Sequence, residues 1–207
     1  TGTGDGQFVW AVAMAFDSSE RLFITDEYNQ RISIFDSSGK FQGKWGRPGT
    51  GEGEINGPAG IAVDPDDNVY VVDQHNHRVQ KFTADGQYLA EFGSSGNRAG
   101  EFNRPSGVAV DKHGDIYVAD CWNDRVQVLT PDGRYVTSFT GDGGLGKWAD
   151  EKLHANWEMV ISRDLVIDLE HERQLWHPKA LLIDDEGRIL IIDAEHHRIQ
   201  VYKKDNY

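Results

Sequence analysis

The sequence predicts an all-β protein, a β-propeller of four-stranded antiparallel blades, and two observations predict it. The first is an internal repeat of 47 residues, which holds at many positions at once. The second is that each copy divides into four short apolar or alternating runs separated by turn residues. Four antiparallel strands in about 47 residues, joined by tight turns, are typical of a propeller blade.

The repeat is visible in glycine-rich segments and in single polar residues. Residues 2–8 return 47 positions later as residues 49–55, and more loosely as residues 96–102. The last copy is displaced by 73 residues, so it carries 26 additional residues in front of it. The polar and glycine residues that repeat are Asp17, Asp26, Arg31 and Gly39; Asp64, Asp73, Arg78 and Gly86; Asp111, Asp120, Arg125 and Gly133; and Asp184, Asp193 and Arg198.

The second copy shows how the strands are predicted. Residues 60–64 are a compact apolar run, which a turn separates from the β-branched and aromatic run 69–73. A four-residue loop at 74–77 leads to two alternating runs, 78–83 and 88–92. A blade cannot bury both of its faces alone, so each copy is expected to pack on its neighbours around a central axis.

Composition excludes several classes of protein. The chain has 207 residues, 11% of them aromatic, and it is too aromatic and too weakly biased in charge for a disordered chain. Its net charge of −13 disfavours a nucleic-acid partner, because the long-range field repels a polyanion. No run approaches the roughly 20 apolar residues of a membrane span. The single Cys121 excludes an internal disulfide framework and a multi-cysteine zinc site.

The corner between the second and third predicted strands resembles an NHL repeat, whose pattern is apolar-Asp-x-x-Asn-x-Arg-apolar-x-apolar-Phe. The resemblance covers nearly the whole chain except the additional residues, and the last copy departs from the pattern with His196 in place of Asn. It implies a β-propeller, usually with six blades in this family, that serves as an interaction module for proteins and sometimes RNA. The four corners run from Asp26 to Arg31, Asp73 to Arg78, Asp120 to Arg125 and Asp193 to Arg198.

We interpret the repeated Asp, Asn and Arg of these corners as structural, because a catalytic set is expected once and not four times. An Asp that closes one strand and an Arg that opens the next can form a charge-assisted pair, and Asn suits the turn between them. No catalytic residue is therefore predicted. The structural set is Asp26, Asn29, Arg31, Asp73, Asn76, Arg78, Asp120, Asn123, Arg125, Asp193 and Arg198.

The corner residues that change from blade to blade are candidate binding residues. Blade topology places the corners and the inter-blade linkers on one face, and loops held by rigid sheets commonly carry function. Aromatic side chains are favoured in recognition surfaces, although these residues could also only cap the corners. The candidates are Tyr28, His75, His77, Trp122, Asp124, Glu195 and His197.

The additional residues predict a helical insertion at 142–178, within a single partial propeller that spans residues 1–207. Asn156 suits a helix N-cap, and from Trp157 apolar residues recur every four positions up to Leu169, before Pro178. We expect the insertion to dock a partner, although a lid or the cover of a blade edge remain alternatives. Its candidate binding residues are Trp148, Trp157 and Trp176.

No cofactor is expected, with calcium or zinc as the alternative. The pairs His75 with His77 and His196 with His197 could suggest zinc, and residues 64–68 resemble half of a calcium loop without its Gly and closing Glu. Some NHL-like propellers resemble peptidyl-hydroxyglycine amidating lyases, in which a zinc-binding His follows the Pro that opens an inner strand. Here Ala59, Ser106 and Lys179 follow those prolines. Lactonase-like hydrolases instead hold calcium at the channel mouth.

The sequence thus predicts a non-enzymatic binding scaffold that recognises a protein through the corner loops and the insertion. A metal-dependent propeller enzyme, lyase or lactonase-like, is the alternative function, and a subunit of a larger assembly is a third. We expect no nucleic-acid partner and no direct membrane span, and the resemblance favours an exported protein. A six-bladed ring would need about two further blades, from the same polypeptide or from another chain.

Overall fold

The computed structural model describes residues 1–141 and 173–203, which form four antiparallel sheets in chain order. The predicted all-β propeller of antiparallel blades is confirmed. Three blades have four strands and the fourth has three among the residues described. The strands are β1 Ala11–Phe16, β2 Leu22–Asp26, β3 Arg31–Phe35 and β4 Phe41–Trp45 in blade 1; β5 Pro58–Val63, β6 Val69–Asp73, β7 Arg78–Phe82 and β8 Tyr88–Phe92 in blade 2; β9 Gly107–Val110, β10 Ile116–Asp120, β11 Arg125–Leu129 and β12 Tyr135–Phe139 in blade 3; and β13 Pro178–Ile183, β14 Arg188–Asp193 and β15 Arg198–Lys203 in blade 4.

The predicted helical insertion at 142–178 falls largely outside the described residues, and so do Trp148 and Trp157. The described end of that segment follows the repeat: Leu175 is 2% exposed and takes the place that Phe102 and Ile55 hold in the preceding linkers. Pro178 is already the first residue of strand β13. Across the described ranges, no helix is long and apolar enough to cross a membrane.

Two kinds of tight turn close the hairpins of each blade. At the turn between the first and second strands, a carboxylate such as that of Asp17 accepts hydrogen bonds from the backbone N–H groups of Ser19 and Arg21. At the turn between the third and fourth strands, the repeated glycine has a positive φ, 81° at Gly39 and 83° at Gly86. A residue with a Cβ rarely adopts that conformation, which explains why glycine repeats there.

The core lies between successive blades. Neighbouring inner strands pack in order, β1 on β5, β5 on β9 and β9 on β13. Three apolar clusters fill the spaces between the blades. They contain Phe23 and Ile32 with Val69 and Val71, then Tyr70 and Val79 with Val108 and Ile116, and then Ala119 and Val126 with Ile189 and Ile191. The alternation of each strand therefore serves two interfaces, one on each side of the blade.

The inner strands approach one another closely near the axis. The backbone N–H of Gly60 donates to the carbonyl oxygen of Ser106 in the next blade, at 2.9 Å. A Cβ on Gly60 would lie 2.7 Å from the Cα of Gly107, so only glycine allows this contact.

The corner loops and the linkers share one face, as the topology predicts. The N–H groups of Glu27, Gln74 and Trp122 donate to the carbonyl oxygens of linker residues Trp10, Gly57 and Asn103. We call the surface formed by loops 27–30, 74–77, 121–124 and 194–197 and their linkers the corner face. The opposite surface, formed by the two short turns of each blade, is the turn face.

Candidate functional site

Every corner is built around a buried aspartate. Asp73 is 0% exposed, and its carboxylate accepts hydrogen bonds from the backbone N–H of Asn56 and from the side chains of Asn76, Arg78 and Gln80, at 2.7–3.0 Å. Asp120 has the corresponding contacts with Asn103, Asn123, Arg125 and Gln127. In blade 4, Asp193 bonds Trp176, His196, Arg198 and Gln200.

These contacts make each aspartate a structural hub, by which we mean a buried carboxylate that several parts of the blade share, and not a reacting group. Each aspartate ties a linker, a corner and the third strand of its blade together, and the set recurs in blades 2, 3 and 4. Burial raises the pKa of Asp193, but the hydrogen bonds from Trp176, Gln200 and Arg198 outweigh it and hold that pKa below its ordinary value. In blade 4 the hydrogen bonds therefore stabilise the charged form of Asp193.

Blade 1 has a variant of the hub. Asp26 accepts from two linker N–H groups, those of Val9 and Trp10, and from Asn29. The two terminal guanidinium nitrogens of Arg31 donate to linker carbonyl oxygens. Within the described residues, Arg31 Nε and Ser33 Oγ are buried without a hydrogen-bond partner. Ser33 stands where the other blades have Gln80, Gln127 and Gln200.

In blades 1, 2 and 3, the last residue of the corner loop connects its blade to the next. Gln30, His77 and Asp124 all have left-handed backbones, with φ between 51° and 57°. Gln30 Oε1 accepts from the N–H of Gly57 at 2.7 Å, and His77 Nδ1 accepts from the N–H of Arg104 at 3.1 Å. Asp124 Oδ1 accepts from the N–H of His177 at 2.8 Å. We call these contacts inter-blade clasps.

The second residue of each corner loop lies nearer the surface. It contacts a linker residue that precedes it by 18 positions in the sequence. Trp10 and Tyr28 meet edge to face, with ring centroids 6.1 Å apart. The guanidinium of Arg104 lies 5.0 Å from the ring centroid of Trp122. The other two pairs are Gly57 with His75, whose ring lies 2.9 Å from a Cβ built on the glycine, and His177 with Glu195, 3.9 Å apart.

These four surface pairs are the part of the corner face that differs most between blades. Tyr28 is 61% exposed and Trp122 is 55% exposed, although both are large apolar side chains. Trp176 is 40% exposed, and its ring lies 5.6 Å from that of His196. The predicted binding residues that the structure describes therefore fall into two groups. His77 and Asp124 hold blades together, while the others lie at the surface: Tyr28, Trp122, Trp176, Glu195 and His197 are exposed, and His75 is half-buried.

Sequence reasoning missed the linker members of all four surface pairs, among them Trp10 and Arg104. Both lie in linkers, 18 residues before Tyr28 and Trp122. Backbone hydrogen bonds between the linker and the corner loop bring them together, and a local sequence pattern does not show such a contact. The 47-residue shift could have found them, because it aligns Trp10, Gly57 and Arg104 at one linker position shortly before the inner strands.

Cys121 is part of a corner but not of the surface. Its side chain is 2% exposed, and burial raises the pKa of its thiol. A buried thiol with a raised pKa is a poor nucleophile, because the thiolate is the reactive form.

Among the loops that the structure describes, the turn face carries more of the negative charge than the corner face. Its seven described turns contain thirteen acidic and four basic residues, whereas the corner loops and described linkers contain seven and four. A cavity of about 700 Å³ opens there among the first turns of all four blades, between Asp17, Asp64, Asp111 and Asp184. These carboxylates have partners within their own blades, as when Asp64 accepts from Asn68 of the same turn and pairs with Lys81 of strand β7.

No arrangement for a metal ion was found in residues 1–141 and 173–203, where three or more His, Cys, Asp or Glu side chains would have to converge. The half calcium loop at residues 64–68 is a hairpin turn in which Asp64 Oδ1 accepts the N–H groups of Asp66 and Asn68.

Comparison with known proteins places the chain among repeat propellers. The NHL repeat model matches residues 56–82 and 102–129, which are the first three strands of blades 2 and 3 with the ends of their linkers. No curated protein matches the chain.

Solved structures of the same fold come from several bacteria. A protein of unknown function from Bacteroides thetaiotaomicron has a TM-score of 0.64 at 23% identity, over 93% of this chain and 47% of that one. A gluconolactonase from Xanthomonas campestris has a TM-score of 0.61 at 14% identity, over 98% of this chain and 61% of its own. A virginiamycin B lyase from Staphylococcus aureus has a TM-score of 0.57 at 13% identity, over 95% and 56%.

At these identities the likeness concerns the fold alone, and the chain spans about half the length of the structures that it matches. The repeat match is more specific, because it falls on the corners that carry the Asp, Asn and Arg hub. The two central blades are therefore NHL repeats, which confirms the resemblance seen in the sequence.

Proposed function

We propose that the chain is a non-enzymatic binding module that recognises a protein partner through its corner face. The observation that carries the proposal is the set of four surface pairs, in which a constant backbone position holds a different chemical pair in each blade. Exposed Trp and Tyr at such positions supply contact area at little cost in conformational entropy, which is typical of recognition surfaces.

The division of the corner residues supports the same conclusion. The buried aspartates and the inter-blade clasps fix the backbone, so the neighbouring positions can change without loss of the fold. Trp122 is held by Arg104 and Tyr28 by Trp10, which limits the side-chain freedom that binding would have to remove. Trp176 and Glu195 extend the same surface into blade 4, next to the insertion that the sequence predicts to take part in docking.

The test is a selection of peptide ligands from a random display library on the immobilised protein, followed by affinity measurements with variants. We expect Trp122→Ala and Tyr28→Ala each to weaken the selected ligands at least tenfold, the size of a binding hot spot. Tyr135→Ala is the matched control, because Tyr135 is 41% exposed on the outer strand β12, away from the corner face. Ligands that lose affinity only with the control variant would contradict the proposal.

The enzyme alternative stays a prediction, and so do a bound calcium or zinc ion, an exported location, a role as a subunit of a larger assembly and a ring of six blades. Gluconolactonase and virginiamycin B lyase share this fold, but at these identities their activities do not carry over. Metal analysis of the purified protein separates the two functions, because stoichiometric zinc or calcium would favour the enzyme.

A further inference from the structure

The hub of blade 1 contains a buried hydroxyl at the position where the other described blades have a glutamine amide. Ser33 pairs with Ile24 across the sheet, as Gln80 pairs with Val71 in blade 2, so the two residues occupy the same place in their blades. Ser33 is 0% exposed, and its Oγ has no hydrogen-bond partner in the described structure. A buried polar group costs free energy unless another group bonds to it.

The linker of blade 1 lies as close to its blade as the linker of blade 2. The Nη2 atom of Arg31 donates to the carbonyl oxygen of Gln7 at 2.7 Å, and that of Arg78 donates to the carbonyl oxygen of Glu54 at 3.0 Å. The linker has therefore not moved inward to compensate for the shorter side chain. Ser33 leaves a space about the size of a carboxamide group, and a polar space of roughly that size holds one water molecule.

This space lies within blade 1 and its own linker. In blades 2 and 3, the hub glutamines bond only to their own blade and to the linker that precedes it. Among the described residues, no other blade supplies a partner at this position, so the site does not depend on a further blade. The bonded residues are Gly53, Glu54 and Asp73 for Gln80, and Gly100, Glu101 and Asp120 for Gln127.

The polar groups around the space require a ligand that both donates and accepts hydrogen bonds. The shift of 47 residues places the N–H of Gly6, the carbonyl oxygen of Gln7 and the carboxylate of Asp26 where the corresponding groups of blade 2 bond the glutamine amide. The carboxylate disfavours an anion. The N–H of Gly6 and the buried, unpartnered Nε of Arg31 disfavour a cation, because both are donors only.

We propose that the hub of blade 1 binds one water molecule in the place of the glutamine amide. The water accepts from the N–H of Gly6 and from the hydroxyl of Ser33, and it donates to the carboxylate of Asp26 and to the carbonyl oxygen of Gln7. Buried waters typically make about three hydrogen bonds to polar groups that have no other partner, so these groups suffice. The water thereby joins the linker to the third strand of blade 1, as Gln80 does in blade 2.

The test counts the long-lived buried waters of the wild type and of variants by magnetic relaxation dispersion of the water oxygen. We expect Ser33→Gln to contain one such water fewer than the wild type, because the amide takes the place of the water. The reciprocal variant Gln80→Ser should contain one more. Ser37→Gln is the matched control, since it makes the same exchange at an exposed position of blade 1 and should keep the wild-type number.

A crystal structure of the wild type is the second measurement, and circular dichroism establishes that each variant remains folded. We expect electron density for a water within hydrogen-bond distance of Ser33 Oγ and of the Asp26 carboxylate. A number of long-lived waters that is the same in Ser33→Gln and the wild type would overturn the proposal, and so would the absence of that density. Contacts of about 2.0–2.6 Å to the bound atom, which are typical of a metal ion, would also overturn it.

Discussion

The side-chain amide nitrogen of Gln80 lies 3.0 Å from a carboxylate oxygen of Asp73, and both residues are completely buried. The same amide also donates to the carbonyl oxygen of Glu54, while its oxygen accepts from the N–H of Gly53. One glutamine therefore joins the hub of its blade to the linker that precedes it. Gln127 and Gln200 make the corresponding bonds to Asp120 and Asp193, and Ser33 is the exception in blade 1.

We expect Ser33→Gln to stabilise the protein. The longer side chain can reach Asp26 and the linker, and it replaces a hydroxyl that is buried without a hydrogen-bond partner in the described structure. Each hydrogen bond gained is worth about 0.5–1.5 kcal/mol. The measurement is the free energy of unfolding in urea. Ser33→Met is the control, because it adds similar volume without an amide, and a Gln variant no more stable than the Met variant would contradict the prediction.

Asp120→Ala is expected to lower the free energy of unfolding by roughly 3–5 kcal/mol, because it leaves the half-buried Arg125 and several other donors without their acceptor. Asp120 is 0% exposed and accepts from Arg125 Nε at 2.8 Å. Asp132→Ala removes a pair with Arg134 of similar length, 2.9 Å, whose side chains are 61% and 79% exposed. That control should leave the free energy of unfolding nearly unchanged, because exposed ion pairs contribute little to stability. Urea denaturation measures both variants. Equal losses in the free energy of unfolding would show that the buried contacts of Asp120 do not contribute more to stability than an exposed ion pair.

Much of the fold was predictable because a propeller repeats its local chemistry. The turn at Gly86, the corner at Asp73 and the alternation of β7 all recur at one shift, so each copy supports the others. Strand bounds follow closely: the run predicted at 78–83 is strand Arg78–Phe82. The repeated Gln80, Gln127 and Gln200 also keep the shift, so the sequence contained the full hub although we did not single it out.

For the candidate site, the sequence predicted which face of the propeller carries it but not the role of each residue. His77 and Trp122 both vary between blades, so by sequence alone they belong to one class. Their roles separate in space, because the left-handed backbone of His77 directs its ring toward the next blade while Trp122 remains at the surface. The partners Arg104 and Trp10 come from linkers, and contacts of that kind depend on how the linker crosses the corner.

The clasp between blades 3 and 4 can be isolated at Asp124. Its φ of 53° favours Gly or Asn, so Asp124→Gly removes the acceptor without strain, whereas Asp124→Asn keeps both the acceptor and the conformation. We expect the Gly variant to be less stable than the Asn variant by about 1–3 kcal/mol, the cost of leaving the His177 N–H without an acceptor. Thermal unfolding of the two variants gives this difference directly, and similar midpoints would contradict a stabilising clasp.

Three buried or half-buried carboxyls make the stability depend on acid pH. Burial raises the pKa of Asp64, but hydrogen bonds from Asn68 and Lys81 outweigh it and lower the pKa from its ordinary value. In Asp26 and Asp193 the pKa is lowered in the same way, by linker N–H groups and by neighbouring side chains. A carboxyl whose pKa is lower when folded stabilises the fold above its unfolded pKa, which is about 3.9 for Asp.

We therefore expect the free energy of unfolding to be nearly constant between about pH 7 and 5 and to fall as the pH drops below about 4, toward the folded-state pKa values. Asp64→Asn should lower the free energy of unfolding at pH 7, because Asn cannot form the ion pair with Lys81, whose Nζ lies 3.0 Å from the carboxylate. The same variant should lose less stability in acid, because it lacks a carboxyl to protonate. Asp66→Asn is the matched control in the same turn, since that side chain is exposed and only its backbone N–H contacts Asp64. Urea denaturation at several pH values measures the free energy of unfolding near pH 7 and its decrease in acid. An equally steep decrease in Asp64→Asn and Asp66→Asn would exclude Asp64 as a contributor.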